Sequence, residues 1–139
     1  MTSDATSYPT LDEILAIHAR SVELFGGSLG IRDHGLLDSA LHAPAASFGG
    51  EELHPSLAEK AGAYAYHLIK NHPFVDGNKR TGLAVAAWFL RLNGSVLDAT
   101  DSELVDLGLG LADGTVSKAS ASVFFASHGC APIKKDPST

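Results

Sequence analysis

Near the middle of the chain, His72 to Gly82 reads HPFVDGNKRTG and gathers most of the side chains able to do chemistry. Pro73 has no amide hydrogen and turns the residue before it away from helical dihedrals, so a helix arriving from the N-terminal side must end by about Asn71. Gly77 permits a tight turn into a second helix. The first amides of that helix lack intrahelical partners and carry the positive end of the macrodipole, which makes an anion site. Lys79 and Arg80 fall in the same turn, where cations oppose the dipole by about 0.3 to 1 kcal/mol each at exposed sites. A bound phosphate reverses that sign. Asp76 offers the hard oxygen that a magnesium ion shared with a nucleotide requires, and His72 can accept a hydroxyl proton near neutral pH. Phe74 is placed to anchor the loop in the core. Together these types point to phosphate transfer onto a hydroxyl of a protein or small molecule.

Each residue also has a plainer reading. Asn78 suits a helix N-cap, Asp76 could cap the same helix end, and Lys79 with Arg80 could be a solvated turn. The joint spacing, more than any single residue, favours a nucleotide-phosphate site.

HPFVDGNKR resembles the signature of the Fic/Doc family. Three further segments, IRDHGLLDSAL at Ile31 to Leu41, FLRLNG at Phe89 to Gly94 and LADGTVS at Leu111 to Ser117, resemble segments placed similarly in its death-on-curing (Doc) branch, so the likeness covers most of Leu11 to Gly129. Adenylylating members usually have Gly where this chain has Lys79 and a second Arg where it has Leu83; Lys79 and Leu83 are what Doc-type members have. The resemblance therefore implies a compact all-α Fic bundle, and transfer of the γ-phosphate of ATP to a threonine of a protein target, elongation factor Tu, with arrest of translation. It implies His72 as catalytic base, Gly77, Asn78, Lys79 and Arg80 on the phosphates, Mg2+ on Asp76, and Phe74 in support. It also implies inhibition in trans by a small Phd-like antitoxin, which would lay a helix in an apolar groove. The inhibitory motif that some Fic proteins carry in cis, Ser/Thr-x-x-x-Glu-Gly/Asn, has no good match; SFGGEE at Ser47 comes closest. AMP or other nucleotidyl transfer by the same loop, and a non-catalytic binding module, are the alternatives.

Length and charge agree with an enzyme acting on proteins. At 139 residues the chain is one domain, long enough to bury about two thirds of its unfolded surface. A net charge of −6 gives no general attraction to nucleic acid and argues against a toxin that cuts RNA. The one cysteine, Cys130, can form no internal disulfide, and no apolar run approaches a membrane span, so a cytoplasmic location is expected.

The elements that must position the loop follow from periodicity. Residues 1–9 are small and polar and are expected to be disordered, residues 10–129 are expected on the resemblance to form the Fic/Doc domain, and residues 130–139 to form a flexible tail. Thr10 with Glu13 makes a capping box for a helix whose stripe is Leu11, Leu15, His18, Val22 and Phe25, stopped by Gly26 and Gly27. His18 on that stripe reads as a hydrogen-bonded core histidine, because no metal-ligand set surrounds it. Asp33 opens a short helix to about His42, ended by Pro44. Residues 45–55 read as an exposed loop; the family resemblance implies a flap there, often a small hairpin that positions a target segment by strand addition. Ser56 with Glu59 caps the helix that carries Leu57, Ala61, Tyr64 and Leu68 down to the active loop. LAVAAWFLRL, apolar nearly all round, reads as the central buried helix, with Gly82 marking close packing and Asn93 and Gly94 ending it. Two more helices begin at Asp101 and Ser117, the last ending at Gly129.

Overall fold

The computed structural model describes residues 5–129. The start of the expected frayed segment, the expected tail and Cys130 lie outside the described residues. α1 spans Leu11–Phe25 because Thr10 and Glu13 cap it reciprocally and Gly26, at φ 88°, takes the chain out of helix. α2 spans His34–His42, with the Asp33 side chain accepting the Leu36 amide. A 3-10 turn over Ala43–Ala45 carries Pro44 and leads into a hairpin, β1 (Ser47–Phe48) and β2 (Glu51–Glu52), in which Ser47 faces Glu52. The small hairpin that the family resemblance implied here is therefore present as a two-stranded ribbon.

α3 (Leu57–Asn71) starts at the capping box of Ser56 and Glu59, and α4 (Asn78–Leu92) starts after Gly77. α5 (Asp101–Asp113) has a third capping box, Thr100 with Glu103, and α6 (Lys118–Ser127) is capped by Ser117. The last helix thus stops at Ser127, short of Gly129, where the His128 amide closes onto the Phe124 carbonyl. Before α1, Ser7 exchanges two hydrogen bonds with the Asn93 side chain, at 2.9 and 2.8 Å, and the Tyr8 ring lies against Phe89.

The architecture is all-α apart from the hairpin, but its centre is α3, not α4. α3 packs on α2, α4, α5 and α6, and buries Ala61, Ala63, Tyr64, Ala65, Leu68 and Ile69. Two glycines make those contacts close. A Cβ at Gly82 of α4 would lie 2.9 Å from Ile69 Cγ1 and 3.3 Å from the Ala65 carbonyl, and one at Gly62 would lie 2.7 Å from Ser122 Oγ of α6. α4 buries Val85, Ala86, Phe89 and Leu90 on its core side, while Leu83, Ala84, Ala87 and Trp88 line open clefts on the other. Apolar residues all round a helix report two greasy faces. They do not say whether the second face meets protein or an open groove.

Candidate active site

Between α3 and α4, His72 to Gly77 is fixed by the segment that follows α1. His72 sits at the C-cap of α3 with φ 52° and ψ 53°, the one non-glycine residue in the left-handed region among the described residues. That conformation costs a side-chain-bearing residue on the order of 1 kcal/mol, so the surroundings must hold it. Arg32 does so, its Nε donating to the His72 carbonyl at 2.6 Å and its Nη2 to the Asn71 carbonyl at 2.9 Å. These are last-turn carbonyls of α3 without intrahelical donors, so one guanidinium both caps the helix and fixes the turn.

The main chain continues the clamp. The amides of Arg32 and Asp33 donate to the Pro73 carbonyl at 2.7 and 3.1 Å, and the Val75 amide donates to Gly30 at 3.0 Å. Ser28 donates its amide to Asp76 Oδ2 at 2.7 Å. The approach needs glycine at position 27, where φ is 112° and a Cβ would meet the Asp76 Cβ at 3.0 Å.

Beneath the loop, Phe74 is fully buried. It stacks on the His18 ring, centroids 3.9 Å apart and planes 10° from parallel. His18 Nε2 donates to the Asp76 carbonyl at 2.8 Å, which fixes its tautomer. The expected satisfied core histidine is therefore also a support of the loop. Asn78 is buried at the first position of α4, with Gly77 as the N-cap. Its side chain accepts the Phe74 amide and donates to the Phe74 carbonyl, at 2.9 and 3.0 Å. The side-chain amide of Asn78 is thereby committed to the loop, which leaves its backbone N–H as the group able to meet an anion at the start of α4.

His72, Asp76, Gly77, Asn78, Lys79 and Arg80 all line one cleft of about 970 Å³. Phe74 lies below it. The opposite wall is α5, through Leu104, Val105, Gly108 and Leu109, with Phe25 at the end of α1. Gly108 lets α5 come close, since a Cβ there would lie 3.1 Å from Leu83 Cδ1. Arg80 lies over the Phe25 ring, 4.4 Å from its centroid, a contact that steadies the guanidinium without using its donors. The cleft thus has amides, two cations and the Asp76 carboxylate on one side and a largely apolar wall on the other, with Asp101 at the start of α5.

The sequence model of the Fic/DOC family matches residues 8–90. The chain belongs to the Fic/Doc family. It is 36% identical over 110 residues to the "Protein kinase doc" of Escherichia phage P1, covering 78% of this chain and 85% of that one. It is 49% identical over 75 residues to "Toxin Doc" of Mycolicibacterium smegmatis (strain ATCC 700084 / mc(2)155), which is 54% of this chain; that match spans 58% of the toxin, less than two thirds of its length. The loop from His72 to Arg80 carries the family signature. What the residues did not announce is the clamp on it: Arg32 and Ser28 reach the loop from about 40 and 48 positions away. The segment IRDHGLLDSAL carries Arg32 and was part of the likeness, but its pattern names no partner.

Among the described residues no group of three or more His, Cys, Asp or Glu side chains could hold a metal by itself. Asp76 is an exposed carboxylate with Oδ2 bonded to Ser28. That suits Mg2+, which is bound through one or two carboxylates together with phosphate oxygens and water. No helix among the described residues is long and apolar enough to cross a membrane.

Proposed function

We propose that this chain is a Doc-type toxin that transfers the γ-phosphate of ATP to a threonine hydroxyl of a protein target, elongation factor Tu, and so arrests translation. The observation that carries the reading is the shared cleft, which sets His72 and Asp76 beside the N-terminus of α4 with Lys79 and Arg80 in its first turn. The first amides of α4 and the two cations bind the phosphates. Asp76 would hold Mg2+, which supplies charge neutralisation to the phosphates when bound. The wall of Leu104, Val105 and Leu109 receives the apolar faces of the nucleotide.

His72 takes the proton of the acceptor hydroxyl as its oxygen bonds to the γ-phosphorus. The bond from that phosphorus to the β–γ bridging oxygen breaks, and its electron pair leaves with ADP. Little covalent chemistry falls to the protein, so positioning and electrostatics supply most of the acceleration. That is why a loop clamped by Arg32, His18 and Asn78 suits the task. The hairpin Ser47–Glu52 receives the acceptor segment along its edge. A Phd-like antitoxin binds the apolar cleft between α1 and α4, about 540 Å³ and lined by Ala16, Ile17, Ala84, Ala87 and Trp88. A pull-down that recovers no small partner would count against this last part.

The test is incubation with elongation factor Tu, Mg2+ and ATP labelled at either the α- or the γ-phosphate. Label on the protein from γ alone supports phosphorylation. Label from α means nucleotidyl transfer and overturns the reading of Lys79 and Leu83. No label at all points to a different target or to a binding module. His72→Ala should abolish labelling while the chain stays folded, since its side chain is exposed; a variant still active would remove His72 from the chemistry.

A further inference from the structure

The hairpin has almost nothing to hold it. Ser47, Phe48, Glu51 and Glu52 are all exposed, Phe48 at 81%, and the turn is Gly49 and Gly50 at φ 60° and 85°. Two-residue strands with no buried face are not stable alone. The ribbon ends in one further backbone bond, from the Leu53 amide to the Ala46 carbonyl at 2.9 Å. Against it, from the first turn of α3, comes Lys60. This lysine is 1% exposed, and its Nζ donates to Glu52 Oε1 at 2.5 Å and to the His54 carbonyl.

A buried ammonium is an expensive way to fill space. Its desolvation costs several kcal/mol, and an apolar side chain of like volume at such a site is usually as stabilising or more so. What the charge adds is direction: two donors fix where Glu52 and the His54 carbonyl must lie, and so the angle at which the ribbon leaves the body. Glu52 keeps half its side chain in water, 52% exposed, so the pair lies at the boundary between the core and the ribbon.

We propose that Lys60 is a positioning residue that tethers the hairpin, acting through Glu52 and His54 on the acceptor segment and touching neither acceptor nor nucleotide. The tether rests on the structure alone; its role in turnover rests on the reading of the hairpin as the acceptor-holding flap. Lys60 does not line the nucleotide cleft.

The experiment compares the full chain with Lys60→Met and Glu52→Ala, reading amide exchange at Leu53 and separate KM values for ATP and for the acceptor protein. In both variants Leu53 exchange should quicken about tenfold or more, as loss of a charge-assisted hydrogen bond implies. The KM for acceptor should rise by a similar factor while that for ATP stays within about twofold, and the double variant should be no worse than Lys60→Met, because the two changes break one contact. Glu52→Ala removes the acceptor at an exposed position and leaves the buried lysine its bond to the His54 carbonyl, so it decides the matter even where Lys60→Met fails to fold. Unchanged Leu53 exchange in Glu52→Ala overturns the tether. Faster exchange with an unchanged acceptor KM leaves Lys60 merely structural and overturns its positioning role. A native chain that labels no acceptor sinks the functional reading instead, and the exchange data still decide the tether.

Discussion

The loop from His72 to Gly77 and the hairpin from Ser47 to Glu52 are of equal length, yet the first is bound along its main chain and the second depends on one side chain. The loop gives its carbonyls to Arg32, Asp33 and His18 and its amides to Gly30 and Asn78, over a buried Phe74. The hairpin keeps its side chains in water and leans on Lys60. Groups that meet a phosphate must not move during transfer, because electrostatic stabilisation works through fixed dipoles. A strand edge that must pair with an incoming segment is better left open and only aimed.

The comparison breaks most readily at Phe74. Phe74→Ala removes a fully buried ring and the face on which His18 stacks, and should cost about 3 to 5 kcal/mol. A denaturant titration reads it, and a loss under about 1 kcal/mol would mean that the loop is not carried by its core contact. Next comes Asn78→Ala, which leaves the buried Phe74 amide and carbonyl without their partner and should cost about 2 to 3 kcal/mol. Asn78→Asp sharpens the point: it keeps the acceptor for the Phe74 amide but turns an oxygen on the Phe74 carbonyl. It should therefore recover less than half the loss, with nucleotide binding weakened in step. If Asn78→Ala bound nucleotide normally at native stability, the loop would not need its second anchor.

What could be read in advance from the residues, and what could not, divides along the same line. Thr10 with Glu13 and Ser56 with Glu59 are pairs three residues apart whose meaning is local, and both helices begin where they predict. Pro73 and Gly77 likewise set the loop's ends through their own dihedrals. The sharing of the cleft by His72, Asp76, Lys79 and Arg80 follows from their spacing across one turn. Arg32 on the His72 carbonyl, Ser28 on Asp76 and Lys60 on Glu52 follow from tertiary approach, and bonds that use a backbone group, as the first two do, leave no pattern in side-chain types. The central place of α3 was hidden for a similar reason. Its stripe looked ordinary beside the apolar run of α4, although Ala61, Gly62, Ala63 and Ala65 are the small residues that let other helices close in.

On the hairpin's side of the molecule the expected effects are smaller, and one is set by pH. His67 of α3 is held down to about 4 from 6.5 by burial and by Lys118, whose Nζ lies 3.4 Å from Nε2, with His54 adding in the same direction. Its folded value lies below the unfolded one, so its contribution is complete above pH 6.5 and is lost as pH falls toward 4. The partial exposure of His67 limits that loss to on the order of 1 to 2 kcal/mol. His54 is lowered by burial and acts in the same sense, whereas His128, raised by the Phe124 carbonyl and Glu103, gains on acidification and opposes both. Comparing the native chain with His67→Gln between pH 7 and 4.5 isolates the contribution of His67. The variant should lose less stability over that interval, and equal losses would show that this face carries no such charge cost.

The smallest change in stability belongs to the hairpin itself. Phe48 is 81% exposed and touches no core cluster, so Phe48→Ala should alter unfolding free energy by no more than about 0.5 kcal/mol. Such a side chain beside Gly49 and Gly50 contributes nothing that the fold requires, and on the proposed reading of the hairpin as the acceptor-holding flap it would contact the incoming segment. The variant should therefore raise the KM for acceptor protein and leave ATP binding untouched, the reverse of the pattern expected at Asn78. A marked loss of stability would mean that the hairpin is a structural part of the body, and the contrast between a clamped loop and an aimed ribbon would fall with it.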